Sequence, residues 1–183
     1  ANEAFSHGEC GFEAGRQVVT MTRERDSYPY QLRLDLLGEY QRKNLVTVAT
    51  VLDILHESTP LSISRRAFVE GVRDVTSLTS FGGRWQVLSS NPMVVCDTAH
   101  NAHGIAEVAT QLKARTNSGR LLCVMGFCED KEFKTMLELM PHDAHFIFTQ
   151  ASIRRAATLE KIAEVATSLS LDFELAPTVA EAV

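Results

Sequence analysis

The chain has 183 residues, of which 45% are hydrophobic and 22% are charged, and its formal net charge at pH 7 is −5. This length and apolar content fit one medium-sized domain, or a small domain with part of another attached. The negative charge, and the lack of any Lys/Arg run or basic patch in the sequence, argue against nucleic acid as a partner.

The cysteines and the chain ends bear on metal and disulfide sites, on cellular location and on whether the sequence is a fragment. The four cysteines, at positions 10, 96, 123 and 128, form no Cys-x-x-Cys pair, so the sequence suggests neither a zinc ribbon nor a disulfide framework. Cys96 and Cys123 lie in apolar runs and are expected to be small core residues. With no signal-like or membrane-length apolar segment, we expect a cytoplasmic protein without a membrane partner. A first residue other than Met, and an end in a predicted helical turn, suggest a fragment.

The first half of the chain predicts strands followed by a long helix. Residues 1–16 show no period and are expected to be a mobile lead-in. Residues 17–22 and 30–36 are β-rich and predict a hairpin or two sheet strands. Gly38 opens the helix, whose apolar positions follow the helical period. These positions are Leu45, Val48, Ala49, Leu52 and Leu55.

Two amides lie one turn apart near the start of this helix, Gln41 and Asn44. Polar amides at such a place can recognise the edge of a nucleotide base. They can equally be solvated, or form a helix-end hydrogen bond, and the sequence leaves both interpretations open.

A change of pattern follows Pro60. Ser62 or Ser64 can cap a shorter helix that reaches about Asp74. Residues 76–83 are small, polar and end in glycine, so they form the best linker candidate. We therefore predict two domains, 1–81 and 82–183. A strand over 84–88 and a turn over 89–92 then lead to a strand over 93–96.

From residue 93 onward, short apolar runs alternate with helical periods. Strands are predicted over 93–96, 121–125 and 146–149 and near Phe173, with helices between them. This alternation predicts an α/β fold of right-handed βαβ units, with a Rossmann-like, mostly parallel sheet and helices on both faces. The polar loops after its strands are then expected to meet at one sheet edge, where such folds bind ligands. These loops span 97–103, 129–131 and 152–155.

The loop after Cys96 carries a dense set of functional groups. They are Asp97, Thr98, His100, Asn101 and His103. A metal cluster at His100 and His103 lacks a fourth ligand and a recognised spacing. A nucleophilic pair of Cys96 and His100 is opposed by the expected burial of the thiol. Neither of the familiar glycine-rich phosphate loops is present in the sequence.

Three side chains remain as candidates for chemistry. The Asp97 carboxylate can bind ribose hydroxyls, Arg84 can bind phosphate, and His100 supplies an imidazole. The alternatives are structural: Asp97 can cap the next helix, Arg84 can be a surface charge, and His100 can be an ordinary loop histidine. Residue pattern alone does not separate these interpretations.

Several blocks of the sequence occur in the order and spacing of one known family. Residues 37–44 (LGEYQRKN) are similar to its Gly-x-(His/Tyr)-Gln-x-x-Asn helix start, and residues 83–87 (GRWQV) to its Pro-Gly-Arg-hydrophobic-Glu strand. Residues 97–101 (DTAHN) are similar to its Asp-Gly-Ala-His-Asn-Pro signature. Residues 126–131 and 155–156 match its Gly…Asp-Lys-Asp and Pro-Arg-Ala loops. The chain thus resembles the C-terminal part of folylpolyglutamate synthase, often also dihydrofolate synthase, of the Mur ligase superfamily.

The resemblance implies a role for each matching residue. Asn44 would contact adenine, Arg84 the nucleotide phosphates, and Asp97 the ribose or the reacting groups. His100 would place the incoming glutamate or the acyl phosphate, and Lys131 is either a second cation or a solvated helix-start lysine. The implied reaction uses ATP and Mg²⁺ to join L-glutamate to a folate or pteroate acceptor through an acyl phosphate. We expect a monomeric enzyme of folate biosynthesis.

The same resemblance implies that parts of the enzyme lie outside this sequence. Residues 1–81 would be the tail of a central ATPase domain, and 82–183 a Mur ligase C-terminal domain lacking its last strand. The P-loop domain of the family carries the triphosphate, magnesium and folate, so we expect the chain alone to have no ligase activity. Gly82 replaces a proline and is expected to loosen the linker before Arg84. Ala102 and Gln86 also depart from the pattern, in place of a proline and a glutamate, as does His103, at a position that is often acidic.

Overall fold

The computed structural model describes residues 4–115, 119–129 and 132–183. The chain divides into two compact units, Ala1–Thr98 and Ala99–Val183. Each unit has a hydrophobic core of its own. The domain boundary between residues 81 and 82 stays a prediction.

The first unit begins with an antiparallel sheet in the order β1-β2-β3. Its strands are β1 (Phe5–Glu13), β2 (Arg16–Arg23) and β3 (Tyr28–Leu34). The expectation of a mobile lead-in was wrong for Phe5–Glu13, because β1 pairs with β2 along most of its length. Ala14 and Gly15 join the two strands with φ angles of 49° and 74°, as a tight hairpin turn requires. Of the β1 side chains only Phe5 is buried, so no apolar alternation marked this strand in the sequence.

Three helices follow the sheet: α1 (Gln41–Ser58), α2 (Arg65–Arg73) and α3 (Val75–Thr79). The long helix predicted after Gly38 is present, but not every position of its apolar period is buried. Val46 is buried while Val48 is 46% exposed. Ser64 caps α2, as predicted, and its hydroxyl accepts a hydrogen bond from the Ala67 N–H at 3.1 Å. The helix α3 occupies part of the segment predicted to be a linker.

A hairpin completes the first unit, with β4 (Gln86–Ser90) antiparallel to β5 (Met93–Cys96). We predicted that β5 would join the parallel sheet, and this was wrong. Its short apolar run is compatible with either kind of sheet, and the nearest partner along the chain is β4. Cys96 is exposed, so its predicted place in the core was wrong as well, whereas Cys123 is buried.

The second unit is an α/β layer. Its elements are α4 (Ala102–Arg115), β6 (Leu122–Met125), α5 (Phe133–Leu139), β7 (His145–Thr149), α6 (Leu159–Ser168), β8 (Asp172–Ala176) and α7 (Val179–Ala182). The strands lie in the order β6-β7-β8 and are parallel. Phe146 and Phe148 of β7 are fully buried and pack with apolar side chains of the surrounding helices. The predicted α/β class with a parallel sheet and helices is confirmed. Among the described residues, no helix has the length and apolar character to cross a membrane.

Candidate functional site

Asp97 directly follows β5, and two donors fix its carboxylate. The Trp85 backbone N–H donates a hydrogen bond to Asp97 Oδ2 at 2.8 Å, and the Tyr40 hydroxyl donates to the same oxygen at 2.7 Å. Trp85 is itself buried, with 2% of its surface exposed, and has a φ of 48°. A large residue with positive φ is unusual and persists only where its surroundings hold it. The carboxylate is therefore held in one orientation.

Tyr40 belongs to the turn that starts α1. A β-carbon at Gly38 would lie 2.6 Å from the Tyr40 ring, so only glycine leaves room for the ring there. Burial and the hydrogen bond to the Asp97 carboxylate raise the pKa of Tyr40 well above its ordinary value. The hydroxyl therefore stays protonated and remains a donor.

Arg84 lies between Gly83 and the buried Trp85. Its Nη1 donates to the Gly83 carbonyl at 3.2 Å and contacts the Thr98 hydroxyl oxygen. Its guanidinium carbon lies 5.6 Å from the centre of the Phe81 ring, a cation–π distance. The structure therefore holds Arg84 by specific contacts at the start of the hairpin.

A tight turn at Gly83 brings Arg84 and the end of β5 together. Gly83 has a φ of 71°, and a β-carbon there would lie 2.5 Å from Thr98 Cγ2. The Gly83 N–H donates to Gln86 Oε1 at 2.9 Å, so glutamine supplies an acceptor where the family pattern has glutamate. The Thr98 N–H and hydroxyl both donate to the Gly83 carbonyl, at 2.9 and 3.0 Å. These bonds hold the turn that Gly82 was expected to loosen.

The two amides of α1 bond to each other. Asn44 Nδ2 donates to Gln41 Oε1 at 2.9 Å, Gln41 is buried, and Asn44 is exposed. No side chain caps this helix start, so the amides bond to each other instead of to the helix end, and this bond orients the exposed amide of Asn44. A role for Asn44 in binding adenine stays a prediction.

His100 lies in the second unit, on the loop before α4, and is exposed. The residue that caps this helix start is Asn101, whose Oδ1 accepts from the Gly104 N–H at 2.8 Å. Asp97 instead accepts from Trp85 and Tyr40 in the first unit. Among the described residues, no three His, Cys, Asp or Glu side chains come together as a metal site would require. Cys96 is exposed, so the expected burial of its thiol, which argued against a nucleophilic pair with His100, is not observed.

The loops after β6 and β7 meet, as predicted. The Glu129 N–H donates to the Arg155 carbonyl at 2.8 Å, and Glu129 forms an ion pair with Lys161. Lys131, the possible second cation, lies outside the described residues. The loop after β5 does not follow a strand of the same sheet, so the sheet topology alone does not bring Asp97 to these two loops.

Sequence reasoning did not single out Tyr40, and it named Thr98 only as one of the polar residues of the loop after Cys96. Tyr40 lies inside the block that resembles the family's helix start, where a histidine or tyrosine recurs, and this could have marked it as functional. Thr98 replaces the family's glycine between Asp97 and Ala99. No local pattern shows that either side chain contacts the β4–β5 hairpin or its flanks.

The family model for the Mur ligase, glutamate ligase domain, matches residues 83–183. A dihydrofolate synthase/folylpolyglutamate synthase of Bacillus subtilis is 28% identical over 153 residues, which are 80% of this chain and 34% of that protein. A probable bifunctional folylpolyglutamate synthase/dihydropteroate synthase of Haloferax volcanii is 29% identical over 155 residues, 85% of this chain and 17% of that protein. This chain therefore spans about a third or less of these relatives.

Solved structures show a likeness in fold. Folylpolyglutamate synthase of Mycobacterium tuberculosis complexed with ADP superimposes with a TM-score of 0.79 at 22% identity, over 99% of this chain and 39% of that chain. The Escherichia coli enzyme in complex with ADP, without folate substrate, gives a TM-score of 0.69 at 21% identity, over 98% of this chain and 39% of that one. These superpositions cover both units of the present chain.

Proposed function

This chain belongs to the Mur ligase family, in its glutamate ligase domain, and from that premise we propose that the protein is an ATP-dependent ligase joining L-glutamate to a folate or dihydropteroate acceptor. The names of its curated relatives support this choice of acceptor. The observation that carries the proposal is the hairpin β4–β5. Its flanks hold a carboxylate, Asp97, and a guanidinium, Arg84, in fixed positions within one unit.

Three residues are proposed to bind the nucleotide. The exposed amide of Asn44 has both donors and acceptors for the edge of adenine. The Asp97 carboxylate accepts hydrogen bonds from ribose hydroxyls or aligns the reacting groups. Arg84 has a planar, permanently charged guanidinium that matches phosphate oxygens. To reach a phosphate, this guanidinium would exchange its contact with Thr98 for the ligand.

The proposed reaction has two steps. An acceptor carboxylate oxygen attacks the γ-phosphorus of ATP, which forms an acyl phosphate and releases ADP. The glutamate amine then attacks the acyl carbon, phosphate leaves, the nitrogen loses a proton, and an amide forms, which is γ-linked when the acceptor is a folate. Arg84 would stabilise the migrating phosphoryl charge, and His100 would place the glutamate or the acyl phosphate. Asp97, Arg84 and His100 are thus the residues proposed for catalysis.

The family also implies Mg²⁺. Among the residues that the structure describes, no group of three suitable side chains forms a site for it. We therefore assign no residue of this chain to the metal and derive no step through it. The two-domain division into 1–81 and 82–183, and a monomeric, cytoplasmic enzyme, complete the proposal.

The test uses the full-length protein with ATP, L-glutamate and either dihydropteroate or a folate monoglutamate. Mass spectrometry should detect the acceptor extended by one glutamate, and phosphate should be released in equal amount. Asp97→Ala and His100→Ala should each lower kcat/KM by about a hundredfold or more. His103→Ala is the matched control, because this exposed histidine lies on the same segment and is expected to leave the rate nearly unchanged.

Three outcomes would contradict the proposal. Glutamylation of a cell-wall precursor in place of folate would assign the protein to another Mur-type ligase. Full activity of the Asp97→Ala and His100→Ala variants would show that these motifs support only the fold and have no role in the reaction. Equal losses in His100→Ala and His103→Ala would show a general effect on the loop instead of a role for His100.

A further inference from the structure

We propose that Tyr40 is a positioning residue for nucleotide binding, because it couples the start of helix α1 to the carboxylate of Asp97. The inference rests on the proposed function, in which Asp97 and Asn44 bind the nucleotide. Tyr40 itself needs no contact with the nucleotide. It acts through the hydrogen bond from its hydroxyl to Asp97 Oδ2, at 2.7 Å.

Two donors of different origin converge on one oxygen of the Asp97 carboxylate. The Trp85 N–H reaches Asp97 Oδ2 at 2.8 Å from the β4–β5 hairpin, and the Tyr40 hydroxyl reaches it from 57 residues away in the chain. One hydrogen bond leaves a carboxylate able to rotate about it, whereas two donors on the same oxygen set both its position and its direction. Hydrogen bonds to a charged acceptor are among the stronger ones in proteins.

Tyr40 is itself held in place by the start of the helix. Its carbonyl accepts from the Lys43 N–H at 3.1 Å, which makes it part of the first turn of α1. Its ring lies against Gly38, where no larger residue fits. The side chain is half-buried, and its pKa is raised by that burial and by Asp97, so the donor proton is retained at neutral pH.

Asn44 lies on the same helix start as Tyr40. Asn44 lies one turn after Tyr40, and its amide is oriented by Gln41. The adenine contact and the ribose contact of the proposed site are thus tied together through a single side chain. Tyr40 and Asp97 lie on opposite sides of the domain boundary predicted between residues 81 and 82. The affinity for a nucleotide that contacts both Asn44 and Asp97 therefore depends on the hydrogen bond between Tyr40 and Asp97.

The test removes the hydroxyl alone. In the full-length protein, Tyr40→Phe should raise the KM for ATP and the dissociation constant of ADP about tenfold, the size expected from one hydrogen bond to a charged group. kcat should change less than about twofold, because a ribose contact contributes equally to the ground state and the transition state.

A matched control separates this effect from a general loss of a tyrosine hydroxyl. Tyr28→Phe removes a hydroxyl from β3, where the ring packs against Tyr30 and Arg65 instead of Asp97. It should leave KM and ADP binding unchanged. ADP binding is measured by calorimetry, since that measurement needs no acceptor substrate.

The outcomes are distinct. If Asp97→Asn weakens ADP binding and Tyr40→Phe does not, the inference is overturned while the proposed site stands. If Tyr40→Phe lowers kcat and stability with no change in ADP affinity, Tyr40 is structural and the inference is again overturned. If the wild type binds ADP but glutamylates no acceptor, the proposed function fails. The ADP affinities of the wild type and of Tyr40→Phe still decide the role of Tyr40. If the wild type binds no ADP, both fail.

Discussion

The turn at Gly83 offers a sharp test of how the hairpin presents Arg84. A side chain there meets two obstacles, since φ is 71° and a β-carbon would lie 2.5 Å from Thr98 Cγ2. The left-handed conformation costs a non-glycine residue about 1–2 kcal/mol, and overpacking a firm contact adds about 1–3 kcal/mol. Gly83→Ala should therefore destabilise the protein by about 2–5 kcal/mol, seen as a lower urea midpoint at unchanged slope.

Two variants separate the obstacles. Gly15 has a φ of 74° with no atom within 4 Å of an added β-carbon, so Gly15→Ala carries the conformational cost alone. Thr98→Ser removes Cγ2 and keeps the hydroxyl, so Gly83→Ala in that background should recover about 1–3 kcal/mol. Equal losses for Gly83→Ala and Gly15→Ala, or no recovery with Thr98→Ser, would refute the steric part of the reasoning.

A helix cap and an acid-sensitive ion pair can each be tested by urea unfolding. Ser64→Ala should lower the free energy of unfolding by about 1 kcal/mol, because Ser64 caps α2. Ser62 lies outside any helix or strand, so Ser62→Ala should lower it by less than about 0.5 kcal/mol. Equal losses in the two variants would contradict the cap. The hydrogen bond with His145 lowers the pKa of Asp172, so the stability it adds is present above the unfolded pKa of Asp172 and is lost as pH falls through the lower folded value. Wild type should therefore lose more stability than Asp172→Asn below about pH 4, and parallel curves would argue against the pair.

Local patterns predicted most of the elements correctly. The strand over Leu122–Met125 and the helix over Leu159–Ser168 are recognisable because each has a run or period of its own. Ser64 was recognisable as a cap from its place before an apolar helical period. By contrast, β1 exists through its ladder with β2, and only Phe5 of its side chains is buried.

The candidate site was predictable only in part. Asp97 and Arg84 were singled out because a carboxylate after an apolar strand, and an arginine after a glycine, match a family pattern. Their partners were not found. The donors to Asp97 come from a tyrosine before α1 and from a backbone N–H, and no local sequence pattern shows that either of them reaches Asp97.

By itself, the sequence determined the α/β class, most helix and strand positions, the resemblance to Mur ligases and the candidate residues, because periodicity, caps and motifs are local properties of the chain. The tertiary structure alone decided that β5 pairs with β4, that Thr98 packs over Gly83, and that Tyr40 holds Asp97. These are contacts between residues distant in the chain, and their geometry depends on the packing of several elements at once. A carboxylate was therefore visible in the sequence, but its orientation was not.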